Sequence, residues 1–169
     1  MSSIFTKIID GEIPGVFVWR DPQCVAILSI APMNPGHTLV VPRREVDHWI
    51  DLDPVLARHL FTVAQTIGKA QEQAFKPRRI GVMIVGDEVP HTHIHVVPIN
   101  SAGELSFAHV DHDPPEGSLD AAAEQIRAAL RDLGAEHVAD RPPPVLGRRT
   151  GVERAFCCRE CSIEPDAHA

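Results

Sequence analysis

Between Val89 and Pro98 the chain reads Val-Pro-His-Thr-His-Ile-His-Val-Val-Pro, which sets His91, His93 and His95 at alternate positions. In extended chain alternate residues share a face, so the three imidazoles would project together, each about 6.5–7 Å from the next, while Thr92, Ile94 and Val96 point the other way. Such a row packs poorly if buried and lowers strand propensity if merely exposed. It therefore points to chemistry. Imidazole is the commonest neutral metal ligand, and it also serves as nucleophile, acid or base near neutral pH. Two chemistries are open from the residues alone. In one, alternate histidines bind zinc, with His37 or the carboxylates of Asp87 and Glu88 as further ligands. In the other, the central imidazole attacks phosphorus while its neighbours hydrogen-bond the phosphate oxygens and fix its tautomer.

The flanking sequence predicts the elements that must hold these residues. Residues 3–10 form a short amphipathic helix through Ile4, Phe5, Ile8 and Ile9, closed by Asp10-Gly11 and Pro14. The apolar runs Val16–Trp19 and Cys24–Leu28 make a hairpin, and the Pro/Gly-rich loop 31–36 leads into a third strand, His37–Val41, stopped by Pro42. Gly36 is expected to need a positive φ or a close approach before His37. Asp53 caps a long helix with Pro54 at its first position, carried by Leu56, Leu60, Val63, Ile67, Ala70 and Ala74 and ended by Pro77. Ile80–Val85 and His93–Val97 complete five strands. Ser118 caps a last helix with Leu119, Ile126, Leu130 and Leu133 on one stripe, closed by Gly134. Short connections and a single long helix imply an α+β fold: a five-stranded antiparallel sheet with one long helix and a C-terminal helix.

At 169 residues and 18.5 kDa the chain suits one domain and is too short for a (β/α)₈ barrel. We divide it into a domain over 3–110, a C-terminal helical segment over 111–140 packed on it, and a Pro/Arg-rich linker with a Cys-containing tail over 141–169. The tail holds Cys157, Cys158, Cys161 and His168, whose spacing lacks the second paired half of a zinc knot. Residues 1–140 carry eleven basic and nineteen acidic groups. An acidic domain with few aromatics argues against nucleic acid as a partner. Clustered cysteines, no leader-like start and no long apolar run point to a soluble, cytoplasmic protein away from membranes.

His91-x-His93-x-His95-Val-Val resembles the signature of the histidine triad (HIT) superfamily. Ile4 to Pro14 is similar to that family's N-terminal segment, and Asn34-Pro35-Gly36-His37-Thr38-Leu39-Val40-Val41-Pro42 to its second hallmark. The resemblance implies an antiparallel sheet flanked by helices, usually a homodimer, with a purine nucleotide or nucleotide conjugate over the histidine strand. It implies that His93 attacks the α-phosphorus of a phosphoramidate, acyl-nucleotide or dinucleotide polyphosphate, giving a nucleotidyl-histidine that water hydrolyses without cofactor or metal. His95 would contact the α-phosphate, and His91 and His37 would orient the nucleophile. Substrate contacts are expected from Ser29, Asn34, Asp87 and Glu88.

The sequence also departs from the family pattern. Relatives often carry a Cys-x-x-Cys as part of a structural zinc site, where this chain has Ser3 and Thr6. Ser29 stands where an Asp commonly accepts the ribose hydroxyls. Asp87 and Glu88 bring charge where neutral donors are usual, and one of them could meet a cationic leaving group. Other readings are a nucleotide-binding or protein-interaction protein with little turnover, and a metal-dependent hydrolase using the histidine cluster. Trp19 and Trp49 are expected in core or dimer packing, Arg43 and Arg44 at a solvated edge, and His48, His59, His109, His112, His137 and His168 at the surface.

Overall fold

In the computed structural model, which describes residues 2–139, the side chain of Asp53 accepts the backbone N–H groups of Val55 and Leu56, each at 3.0 Å. That capping starts α2 (Pro54–Phe75), whose apolar stripe buries Leu56, Leu60, Val63, Ile67 and Ala70 as the spacing predicts. Lys76, with φ 50°, ends the helix in the left-handed region. The remaining elements are α1 (Ile4–Ile9), β1 (Phe17–Arg20), β2 (Cys24–Leu28), β3 (Thr38–Pro42), β4 (Arg79–Met83), β5 (Ile94–Ile99) and α3 (Ser118–Asp132). The strands form one antiparallel sheet in the order β1-β2-β3-β5-β4. The α+β arrangement is the one the sequence predicts. The tail over 141–169, with Cys157, Cys158, Cys161 and His168, lies outside the described residues.

Alternation along the strands divides two cores. Cys24, Ala26 and Leu28 of β2, Val40 of β3 and Ile94 and Val96 of β5 pack against α2 and α3. Val25 and Ile27 of β2, with Leu39 and Val41 of β3, meet Phe5 of α1 on the opposite face. Both faces are covered, so strands β2, β3 and β5 are buried at every position. His95 lies between Leu39 of β3 and Met83 of β4 in register, out of phase with Ile94 and Val96. The histidines thus take the face opposite α2 and α3.

Several local expectations are corrected. Strand β5 begins at Ile94, so His91 and His93 precede the ladder, and it runs on through Pro98 to Ile99. Pro42 does not stop β3 but is its last residue, paired with Cys24, because Pro is tolerated where its missing N–H faces no partner. The N-cap of α3 is Gly117, with φ 78°, and the Ser118 hydroxyl caps nothing. Leu133 is 46% exposed and leaves the expected stripe, since α3 has already ended. Gly36 has φ 89°, and a Cβ there would meet the Phe75 ring at 2.3 Å. Among the described residues no helix is long and apolar enough to cross a membrane.

At the β1–β2 turn, Asp21 is buried and accepts five hydrogen bonds. Its Oδ1 takes the backbone N–H of Gln23 and Cys24, each at 2.7 Å. Its Oδ2 takes Trp19 Nε1–H at 2.7 Å, His59 Nε2–H at 2.8 Å and the Cys24 thiol at 3.4 Å. His59 is therefore half-buried and clasps α2 to the hairpin instead of lying free on the surface. Trp19 is core and Trp49 is largely exposed.

Candidate active site

Four imidazoles converge where β3 and the approach to β5 meet. The rings of His93 and His95 lie 4.8 Å apart, His37 and His95 5.2 Å, and Phe5 packs at 4.8 Å from His93 and 5.9 Å from His91. All four histidines are buried. The sequence grouped His91, His93, His95 and His37 as candidate catalytic residues, and the fold brings all four together.

Their hydrogen-bond partners fix their tautomers in two separate chains. In the first, the Met33 backbone N–H donates to His37 Nδ1 at 3.2 Å. His37 must then carry its proton on Nε2, which lies 3.0 Å from His95 Nδ1 and donates to it. His95 is left with its proton on Nε2, and that buried N–H has no partner. An unpaired buried donor costs about 1–3 kcal/mol, which any hydrogen-bond acceptor reaching it would remove. In the second chain, His91 Nε2–H donates to the Pro42 carbonyl at 2.8 Å, and its Nδ1 accepts from the Ser3 hydroxyl at 2.7 Å. The main-chain carbonyl of His91 accepts His93 Nδ1–H at 2.8 Å. His93 Nε2 is thereby left as a free lone pair.

Burial pushes each imidazole toward its neutral form. The His37 pKa falls to about 4 and that of His95 to about 3, through desolvation first and then through their imidazole neighbours. His91 is lowered by burial against its bond to Pro42. Burial also lowers His93, opposed by the His91 carbonyl and, more weakly, by the charge of Glu88. All four are neutral at pH 7. A neutral imidazole with its Nδ1–H held and its Nε2 free can act as a nucleophile.

The expected substrate contacts separate. Ser29 is half-buried, and its hydroxyl donates to the Ala31 carbonyl at 3.0 Å. Asn34 does not offer a free donor to substrate: its amide nitrogen donates to the Pro98 carbonyl at 2.9 Å and to Glu104 at 2.7 Å, clasping two loops. Asp87 and Glu88 are both exposed, and the charge of Glu88 reaches His93. Sequence reasoning missed Gln71, which is buried and donates to the carbonyls of Gly36 and Val96, at 2.8 and 2.9 Å, beneath His37 and His95. A glutamine four residues after Ile67 on the apolar stripe was the available signal. Phe107, edge-on to His95 at 5.4 Å, was also missed.

A zinc centre of either kind finds no suitable donor set here. Of the eight ring nitrogens in the cluster, only His93 Nε2 retains an unengaged lone pair, and one lone pair does not hold a metal. At the N-terminus Ser3 and Thr6 supply hydroxyls where a structural zinc would need thiolates. Those hydroxyls are already hydrogen-bonded, Ser3 to His91 and Thr6 to Glu45.

The chain is similar to several known proteins. The HIT domain family model matches residues 10–102. An uncharacterized HIT-like protein of Methanocaldococcus jannaschii is 36% identical over 99 residues, covering 56% of this chain and 77% of its own. The asymmetrical bis(5'-nucleosyl)-tetraphosphatase of Schizosaccharomyces pombe is 30% identical over 134 residues, covering 74% and 69%. A zinc-bound histidine triad family protein from Mycobacterium smegmatis superposes with a TM-score of 0.69 at 29% identity, covering 79% of this chain and 96% of that one. Three ordered histidines, their tautomer chains and a match across more than half of the chain lead to one assignment: the protein belongs to the HIT family.

Proposed function

We propose that the protein hydrolyses or transfers the nucleoside monophosphate group of a purine nucleotide conjugate, through a covalent intermediate on His93. The observation that carries this reading is the pair of complementary nitrogens: a free lone pair on His93 Nε2 beside an unpaired N–H on His95. His93 Nε2 attacks the α-phosphorus and forms a P–N bond, while the bond from phosphorus to the leaving group breaks and its electron pair departs with that group, which takes a proton from solvent. The positive charge arising on the His93 ring is stabilised through Nδ1–H by the His91 carbonyl. Water then attacks phosphorus, the P–N bond breaks, and its electrons return to Nε2 as the water loses a proton to solvent. His95 Nε2–H donates to an oxygen of the α-phosphate. Ser29 and Glu88 border the substrate, and Glu88 favours a leaving group of positive charge.

Activity toward dinucleotide polyphosphates has support from the tetraphosphatase relative, while phosphoramidates and acyl-nucleotides fit the neutral-imidazole chemistry equally well. The acting form is a cytoplasmic homodimer. Strand β4 is an edge, and Val82 on it and Phe61 on the neighbouring face of α2 are each 47% exposed. The test is release of nucleoside monophosphate from adenosine and guanosine phosphoramidates, acyl-adenylates and diadenosine polyphosphates, with and without chelator. Chelator-insensitive release by the wild-type protein and none by His93→Ala supports the reading. Binding of these compounds without any release would leave a nucleotide-binding protein in its place.

A further inference from the structure

The nucleophile's orientation traces back to the N-terminus. His91 to His93 lie before β5 and outside its ladder, so their conformation rests on individual bonds: His91 N–H to the Val89 carbonyl and Thr92 N–H to the Val46 carbonyl, both at 2.7 Å. The His91 ring adds a side-chain anchor at both of its nitrogens, Pro42 on one side and Ser3 on the other. Ser3 is buried, 88 residues away in sequence, and is the N-cap of α1. Its Oγ accepts the Thr6 N–H at 3.1 Å, its N–H donates to Glu45 Oε2 at 2.9 Å, and the same Glu45 oxygen accepts the Thr6 hydroxyl at 2.6 Å. Because His91 Nε2 donates to Pro42, the Ser3 hydroxyl is the donor to His91 Nδ1.

We propose that Ser3, held in place by Glu45 and Thr6, is a positioning residue for His93: its hydroxyl locks the ring and tautomer of His91, so that the His91 carbonyl holds His93 Nδ1–H and directs Nε2 at phosphorus. This rests on the reading of His93 as nucleophile. The Ser3 hydroxyl thereby ties the N-terminal segment to the histidine strand through one hydrogen bond at 2.7 Å.

The test separates locking from simple helix capping. Glycine caps a helix nearly as well as serine but has no hydroxyl, and threonine keeps the hydroxyl. Ser3→Gly is expected to slow formation of the nucleotidyl-His93 adduct about tenfold, with KM unchanged, the scale of one lost hydrogen bond. Ser3→Thr is expected to restore it. Long-range ¹⁵N–¹H spectra of the histidine rings in the full-length protein should show the His91 Nδ1 resonance moving in Ser3→Gly and returning in Ser3→Thr. If the wild type forms the adduct, and Ser3→Gly forms it as fast with the His91 resonances unmoved, the Ser3 proposal is overturned and the functional reading stands. If the wild type forms no adduct, the functional reading fails and takes this proposal with it.

Discussion

Two buried polar clusters flank the same sheet, and they differ in what they leave unmatched. At the β1–β2 turn, the two oxygens of Asp21 accept five hydrogen bonds from Trp19, His59, Cys24 and the backbone. Burial would raise its carboxyl pKa, but these bonds together hold it well below the usual range. The Cys24 thiol beside it is pushed up by burial and then by Asp21, so it stays protonated. Every donor there has an acceptor. The histidine cluster is equally buried and equally organised, yet it ends on a donor with no acceptor at His95 and a lone pair with no donor at His93. The first network clasps elements together; in the function we propose, the second is completed by the substrate.

The sharpest way to break this contrast is to exchange its key residues. His93→Ala should lower turnover at least about a thousandfold, as loss of a covalent nucleophile does, while Asp21→Asn should leave turnover per folded molecule nearly unchanged. Urea unfolding should report the reverse. Asp21→Asn removes charge-assisted bonds from a buried group and should cost about 2–3 kcal/mol, and a stability equal to wild type would remove the clasp from the account. His37→Leu interrupts the chain from Met33 to His95, so kcat should fall about tenfold with adduct formation slowed; unchanged kcat would mean that His95 needs no relay.

The two clusters also separate along the pH axis. His37 and His95 have folded pKa values near 4 and 3, below the ordinary 6.5, so the folded state resists protons that the unfolded chain accepts. Stability from this cluster is complete above about pH 6.5 and declines as pH falls toward 4. Asp21 is depressed below the ordinary 3.8, so its contribution is complete above that value and is lost only at lower pH. Urea midpoints measured from pH 7 to 3 should therefore fall first through the histidine window, and Asp21→Asn should leave that first fall in place. The smallest effect is expected at Glu88. Removing its charge with Glu88→Gln should lower KM for anionic conjugates by up to about fivefold, the scale of one charge a few ångströms away near water. It should also reduce any preference for cationic leaving groups.

The contrast also marks how far the sequence could be read. The apolar, β-branched runs of β2 and β3 and the 3.6-residue stripe of α2 were legible because several apolar residues in a row repeat one signal. Alternate spacing made His91, His93 and His95 legible as a group, and His37 joined them through the resemblance of Asn34–Pro42 to the family's second hallmark. What was not legible depends on contacts between residues far apart in sequence. Nothing local to His59 shows that it meets Asp21 38 residues away, nor that both amide hydrogens of Asn34 are taken by Pro98 and Glu104. Boundaries failed for the same reason. The ladder starts at Ile94 because Val40 of β3 pairs there, while His91 and His93 are held by side chains and turns.

In the proposed reaction the lone pair on His93 Nε2 becomes a bond to phosphorus. Intact-protein mass spectrometry of the wild type, acid-free and quenched within milliseconds to seconds of mixing with an adenosine phosphoramidate, tests it most directly. A species heavier by one nucleoside monophosphate, mapped to His93, is expected to form and decay at rates matching turnover and to be absent from His93→Ala. Turnover at full rate with no such species, or the same adduct in His93→Ala, would contradict it.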